Sequence, residues 1–153
     1  MPVKETLTKN EAADLASLLD TNGTISMTIK ERRYFENGVN LTFYPLIRVR
    51  GKTLESYAEK YGGSMYTDRQ NDKQIWTWNL TMIRNYLPHI IEHLSEKQQP
   101  KAQIILESLK FMHGYGKYQD QEPLRKLYQK IKALQEPRPR HVFPWDNDRM
   151  PFY

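Results

Sequence analysis

The stretch Leu15-Ala16-Ser17-Leu18-Leu19-Asp20-Thr21-Asn22-Gly23 constrains the fold of this chain more than any other, because two periodicities meet at its end. Upstream, Thr8-Lys9-Asn10-Glu11 has the Ser/Thr-x-x-Glu form of a capping box, which predicts a helix starting near Lys9. Ala12, Leu15, Ala16, Leu18 and Leu19 then make a continuous apolar stripe. Thr21-Asn22-Gly23 ends it, and since Asn and Gly both accept the left-handed conformation, the pair taken alone reads as a helix C-cap. Next, Ile25, Met27 and Ile29 alternate with Thr24, Ser26, Thr28 and Lys30, the period-two pattern of a half-buried strand.

Asn37-Gly38 is the strongest hairpin signal in the chain, because both residues tolerate positive φ. The returning strand places Val39, Leu41 and Phe43 on one face, and Pro45 predicts a bulge or an edge before Ile47 and Val49 resume. Leu54, Tyr57, Ala58 and Tyr61 sit at helical spacing and Gly62-Gly63 stops that helix. A second hairpin runs from Ser64 to Arg69, turns at Gln70-Asn71-Asp72 and returns from Lys73 to Trp78. Helices fill the rest: one ending before Pro88, one over roughly Ile90 to Leu94, one from about Lys101 to Met112 and one from Glu122 to Leu134. The order is helix, two strands, helix, two strands, helices, with no internal repeat. Residues 1–135 read as one domain, and 136–153 as a Pro/Arg/aromatic C-terminal extension whose composition favours an extended segment.

Composition removes several classes of function. At 153 residues the chain is one domain with room for a core. It holds no cysteine, which excludes disulfide scaffolds, thiolate zinc sites and Cys nucleophiles. No apolar run approaches the ~18 residues of a membrane span, and no basic-then-apolar leader is visible, so no membrane association is expected and the localisation expected is intracellular, cytoplasmic or organellar. The formal charge of +5 suits a polyanionic partner. His89 and His93 have i, i+4 spacing but no HExxH or cysteine beside them, and Gly62-Gly63 and Gly114-Tyr115-Gly116 lack phosphate-loop context.

The Leu15–Gly23 segment resembles the nine-residue signature of the LAGLIDADG homing endonucleases. Leu15, Ala16, Leu18, Asp20 and Gly23 fit the pattern and Leu19 is a conservative change, while Ser17 stands where the family usually has Gly and Thr21 where it has a small residue. Asn22 is the main departure, since the family pattern places the catalytic Asp or Glu there. The resemblance implies an α+β fold of α-β-β-α-β-β-α order, with a four-stranded antiparallel DNA-binding sheet and additional C-terminal helices, which the pattern reading also yields. One signature without a repeat implies a homodimer on a near-palindromic double-stranded DNA target, with Ala16 and Ser17 small enough for close helix approach. It implies Mg2+-dependent phosphodiester hydrolysis, with Asn22 and the Thr21 carbonyl at the metal position and magnesium binding weak or absent because Asn22 brings no charge. A basic residue before the long late helix matches Lys97, with Lys101 as the alternative, in the role of neutralising transition-state charge or positioning water.

Base readout is expected from the sheet, since a two-stranded ribbon fits the major groove. The candidate DNA-binding residues are Lys30, Arg32, Arg48, Arg50, Thr67, Arg69, Lys73 and Gln74, read as one polar face opposite Ile25-Met27-Ile29 and Val39-Leu41-Phe43. An open antiparallel face carries solvated charge in any case, which leaves the individual contacts open. Trp76 and Trp78 share a strand face and are expected to pack in the core or at its rim. The reading is therefore a site-specific DNA-binding and cleaving protein, with cleavage weak or absent in this form. The alternatives are a non-catalytic DNA-binding regulator or splicing maturase on the same fold, and a protein-interaction module.

Overall fold

A computed structural model of the chain describes residues 6–34, 38–70, 72–113 and 119–135, with the backbone alone described for 31–34 and 38–40. The extension 136–153, the Asn37 and Asn71 turn residues, the Arg32 side chain and the Gly114–Gly116 segment lie outside the described residues.

Helix α1 (Lys9–Asn22) starts on the capping box: the Thr8 hydroxyl accepts from the Glu11 N–H at 3.1 Å and the Glu11 carboxylate accepts from the Thr8 N–H at 3.0 Å. Its buried stripe is Ala12, Leu15, Ala16 and Leu19. Ala16 is therefore enclosed within the chain's own core and is not free to meet a second helix. The small residues on the exposed side are Ala13 and Ser17.

Strand β1 (Gly23–Tyr34) begins on the residue after α1 ends, with no loop between them. Gly23 makes this possible without positive φ, since its φ is −97° and its ψ 156°. The requirement is space. A Cβ added there would lie 2.6 Å from the Leu19 Cα and 2.7 Å from its carbonyl oxygen, where the Gly23 N–H closes the last helical bond. The glycine is thus a steric necessity of an abrupt helix-to-strand junction, and not the left-handed cap that Asn-Gly suggests.

Strand β2 (Gly38–Gly51) pairs antiparallel with β1 from Gly23↔Val49 to Tyr34↔Gly38 in one unbroken register. No bulge occurs at Pro45, which faces Met27. Instead the other side of β2 is unpaired there, because β4 (Lys73–Thr77) joins β2 only over Arg48–Gly51, so Pro45 sits on a local edge. Helix α2 (Glu55–Tyr61) ends on Gly62 and Gly63, at φ 97° and 85°, and β3 (Ser64–Asp68) pairs with β4 to give the sheet order β1-β2-β4-β3.

Helix α3 (Leu80–Ile90) passes straight through Pro88 and continues into a 3-10 turn at Ile91–His93. The break expected before Pro88 is absent because Pro88 and Arg84, whose carbonyl loses its donor, both lie on the exposed face, where water replaces the missing bond. Helices α4 (Gln99–Leu109) and α5 (Gln121–Ala133) complete the layer.

Side chains alternate across the sheet, so the register assigns each residue a face. Ile25, Met27, Leu41, Phe43, Ile47, Val49, Trp76 and Trp78 are buried against the helices. Trp76 and Trp78 stand 5.6 Å apart between ring centroids, beside Tyr57, Tyr61 and Tyr86. The Trp76 indole donates to the Gly62 carbonyl at 2.8 Å, and the Tyr86 hydroxyl to the Tyr61 carbonyl at 3.3 Å. This aromatic block is core, as the shared strand face predicts, and each such ring pair adds about 0.5–1.5 kcal/mol beyond area burial.

Replacing Gly23 by Ala should cost about 1–3 kcal/mol, the usual penalty of overpacking, because the clash is with backbone. Gly51→Ala, whose new Cβ would meet only the Leu54 side chain at 3.4 Å, is the comparison and should cost clearly less. Urea unfolding of the two variants checks this.

Candidate nucleic-acid interface and catalytic centre

The exposed C-terminal end of α1 presents Thr21 and Asn22. The Thr21 hydroxyl donates back to the Ser17 carbonyl at 2.8 Å, which leaves the Thr21 backbone oxygen as the group it offers. The Asn22 side chain has no hydrogen-bond partner among the described residues. Asp20 is occupied: both carboxylate oxygens accept from the Ser95 N–H at 3.1 Å.

A second tie comes from Gln98, which is buried. Its amide Nε2 donates to the Leu19 carbonyl at 3.1 Å and the Gly23 carbonyl at 3.4 Å, one on each side of the helix-to-strand junction. Its Oε1 is buried with no partner among the described residues. Lys97 lies between the two anchored residues, so the turn leading into α4 is pinned beside Asn22. Sequence reasoning passed over Gln98. The available signal was its place two residues before Pro100, at the start of the buried stripe of α4, where a polar side chain is sealed off from water.

Lys97 is exposed and Lys101, one turn on, is half-buried. Partial burial, and after it the nearby Lys97 charge, holds the Lys101 ammonium below the usual lysine range. Neither lysine forms an ion pair among the described residues. Two like charges with no carboxylate between them form an anion-seeking point, which a phosphate oxygen would relieve.

The sheet supplies the second part of the site. Lys30, Arg48, Arg50 and Lys73 share the face turned away from the helices, as the pairings Lys30↔Thr42, Thr24↔Arg48, Arg48↔Thr77, Arg50↔Ile75 and Asp68↔Lys73 require. Thr24 and Arg48 are one step from the Gly23 junction, so this basic face begins next to the end of α1.

Thr67 and Gln74 are not brought to that face, Arg69 lies beyond the end of β3, and the side chain of Arg32 is outside the described residues. Thr67 pairs with Gln74, and both occupy the alternate positions that face the helix side, in line with Trp76. Gln74 is engaged there: its Oε1 accepts from the Leu54 N–H at 2.6 Å and its Nε2 donates to Glu55 at 3.0 Å, which secures the start of α2. Arg69 follows the last residue of β3, exposed in the turn. The Arg32 backbone continues β1 opposite Asn40.

The magnesium implied by the resemblance meets a poor donor set. Asn22 and the Thr21 carbonyl are neutral oxygens, the neighbouring Asp20 is committed to the Ser95 N–H, and no three His, Asp or Glu side chains converge among the described residues. A hard dication held by one or two carboxylates elsewhere finds none free at this helix end, so the residues present do not fit it.

No protein-family model matches the chain, and no curated protein matches its sequence. Solved structures match its fold. The homing endonuclease I-CvuI, in complex with the I-CreI target in 2 mM Mg with the DNA not cleaved, superposes with a TM-score of 0.68 at 18% identity, over 88% of this chain and 87% of that one. The archaeal intron-encoded homing endonuclease I-Vdi141I, complexed with DNA, gives 0.61 at 17% identity, over 88% and 89%. The LAGLIDADG homing endonuclease I-LtrWI, bound to target DNA, gives 0.58 at 11% identity over 80% of this chain but 42% of that one. At these identities the likeness establishes the fold.

Gln98→Leu should destabilise the protein by about 1–3 kcal/mol, because the carbonyls on both sides of the junction lose the buried amide that bridges them. Gln103→Leu, on the exposed side of α4, should stay close to the parent protein in urea unfolding.

Proposed function

We propose that this chain, which has the LAGLIDADG homing-endonuclease fold, is a site-specific double-stranded DNA-binding protein of that type. It works as a homodimer on a near-palindromic target, and its phosphodiester hydrolysis is weak or absent because Asn22 occupies the acid position. The observation that carries the reading is the double tie of Ser95 and Gln98 to the last turn of α1. Through it Asn22, Lys97 and Lys101 share one neighbourhood at the edge of a basic sheet face.

The chemistry follows from those groups. Lys30, Arg48, Arg50 and Lys73 give phosphate contacts and bidentate base contacts in the major groove. Lys97, with Lys101 behind it, neutralises charge on the phosphate nearest the helix end. A magnesium ion would supply an activated water in such a centre, but the neutral Asn22 oxygen would hold it weakly or not at all.

Dimerisation is supported by the exposed strip Ala13, Ser17 and Thr21, four residues apart on α1, small enough for a second helix to approach closely. A two-fold pair would bring two Asn22 ends together, one for each DNA strand.

The competing reading, a DNA-binding regulator or splicing maturase on the same fold, is favoured by the neutral Asn22 alone, and one substitution separates the two. Asn22→Asp should confer magnesium-dependent double-strand cleavage at the site the parent protein already binds. A tight complex without cutting would leave the recognition-only reading. Mobility shifts on a duplex selected from a random pool should also weaken steeply with salt, by about a thousandfold from 50 to 200 mM for some six phosphate contacts. A flat salt response would remove the DNA reading altogether.

A further inference from the structure

Asn22-Gly23 and Asn37-Gly38 are the two asparagine-glycine steps of the chain. In such a step the glycine has no Cβ, which leaves its amide nitrogen open to approach by the asparagine side chain. The Asn22 side chain is exposed and has no hydrogen-bond partner among the described residues, so no contact restrains its amide. The backbone beside it is held firmly. The Gly23 N–H donates to the Leu19 carbonyl and closes the last turn of α1. Gln98 Nε2 donates to that same Leu19 carbonyl at 3.1 Å and to the Gly23 carbonyl at 3.4 Å, so one buried amide spans the Asn22–Gly23 peptide.

We propose that Asn22 is a modification site: a latent carboxylate that forms by deamidation and that the α1–β1 junction keeps in the amide form while it is closed. In the reaction the Gly23 nitrogen loses its proton to solvent base and bonds to the Asn22 Cγ, and Nδ2 leaves as ammonia. Water then opens the five-membered ring. Breaking the bond between Cγ and the Gly23 nitrogen gives an aspartate at position 22 on an ordinary backbone. Breaking the bond between the Asn22 carbonyl carbon and that nitrogen gives the isoaspartate. One water is consumed, one ammonia is released, and nothing is oxidised or reduced.

Three features of the closed junction oppose the first step. The Gly23 N–H is committed to Leu19, and giving it up costs a backbone hydrogen bond. Ring closure needs the Asn22 Cβ eclipsed with the Gly23 nitrogen across the Cα–C bond, and a helical ψ of about −42° holds the two apart. The peptide cannot turn to meet that need, because the surroundings of Gly23 are so tight that an added Cβ would lie 2.6 Å from the Leu19 Cα. Conversion therefore proceeds through an opened junction, and its rate follows the fraction of molecules open. Resting on the proposed function above, the ordinary-backbone product restores the acid at its position. Protein that begins by holding DNA then gains the capacity to cut it as its junctions open.

Peptide mapping by mass spectrometry reads the exchange of NH2 for OH at position 22 and separates the two products. The full chain is aged at one pH and temperature, either folded or unfolded in guanidinium chloride. The unfolded chain should convert at Asn22 about as fast as at Asn37, and the folded protein should lag far behind at Asn22. Gln98→Leu removes the spanning amide and should raise the folded rate at Asn22 about 5–150-fold, the factor to which its expected loss of stability converts. The rate at Asn37, and both rates in Gln103→Leu, should stay as in the parent. In the parent protein, guanidinium chloride below the unfolding midpoint should raise the Asn22 rate in step with the open fraction, which makes the test independent of how well the variant folds. Equal rates at Asn22 in folded and unfolded protein overturn the inference, as does an unfolded chain that does not convert. So does a folded Gln98→Leu protein that converts no faster than the parent. Converted protein that leaves its selected duplex uncut in magnesium overturns the endonuclease reading and leaves the modification site standing.

Discussion

The junction of α1 with β1 governs the rest of the structure. Gly23 lets the helix turn into a strand without an intervening residue, at a separation from Leu19 that no Cβ would permit. A residue on the last turn of α1 consequently has a fixed position relative to Thr24 and to its partner Arg48. Asp20 and Gln98 extend that rigidity to α4 by fastening the turn before it to the same few backbone atoms. Any chemistry at Asn22 is therefore mounted on the sheet and needs no movement of a loop to reach it. Preorganisation of this sort is what a site must have if charge is to be stabilised at one phosphate among many.

Glutamines carry much of the polar satisfaction in this chain. Where β2 extends beyond β4, its free edge would leave backbone groups without partners. Gln119 covers them, accepting from the Phe43 N–H at 2.7 Å and donating to the Phe43 carbonyl at 3.0 Å, while Gln121 donates to the Leu41 carbonyl at 2.8 Å. Gln74 serves the first turn of α2 and Gln98 the end of α1. An amide side chain suits these places because it offers donor and acceptor together without a charge to desolvate. The long β1–β2 hairpin can thus project past the rest of the sheet, which lengthens the face available to a groove.

Elements and their order were legible because the local rules agreed with one another: a capping box, an alternation, a double glycine and an amphipathic stripe each marked a boundary that the structure keeps. The same rules fall short where a residue answers to more than its own segment. Asn-Gly suggested a left-handed cap at Gly23, whereas the demand is steric and comes from Leu19, four residues back. Pro88 looked like a break, yet it lies on a solvent face where a helix tolerates it. Gln74 looked like a base reader, although it stands two residues from the buried Trp76 on the same strand and so had to face the helices. Ala16 looked like a contact for a second helix because it is small, but a stripe that includes Leu15 and Leu19 draws it inward. Gln98 left almost no trace, since its partners are carbonyls some 75 residues away.

On the proposed function, the neutral residue at position 22 also changes the electrostatics of the centre in a way that would favour holding DNA. Two carboxylates facing two phosphates repel unless a dication lies between them, and the low dielectric of a closed interface magnifies the repulsion. With asparagine the repulsion is gone, while Lys97 and Lys101 remain unpaired and close enough for one to depress the other's protonation. The ammonium pair has its own repulsion to relieve, and the nearest available anion is the backbone of a duplex. On the proposed reading, an asparagine at the acid position removes the reason for a metal and strengthens the reason for a phosphate, which suits such a centre to retention more than to hydrolysis.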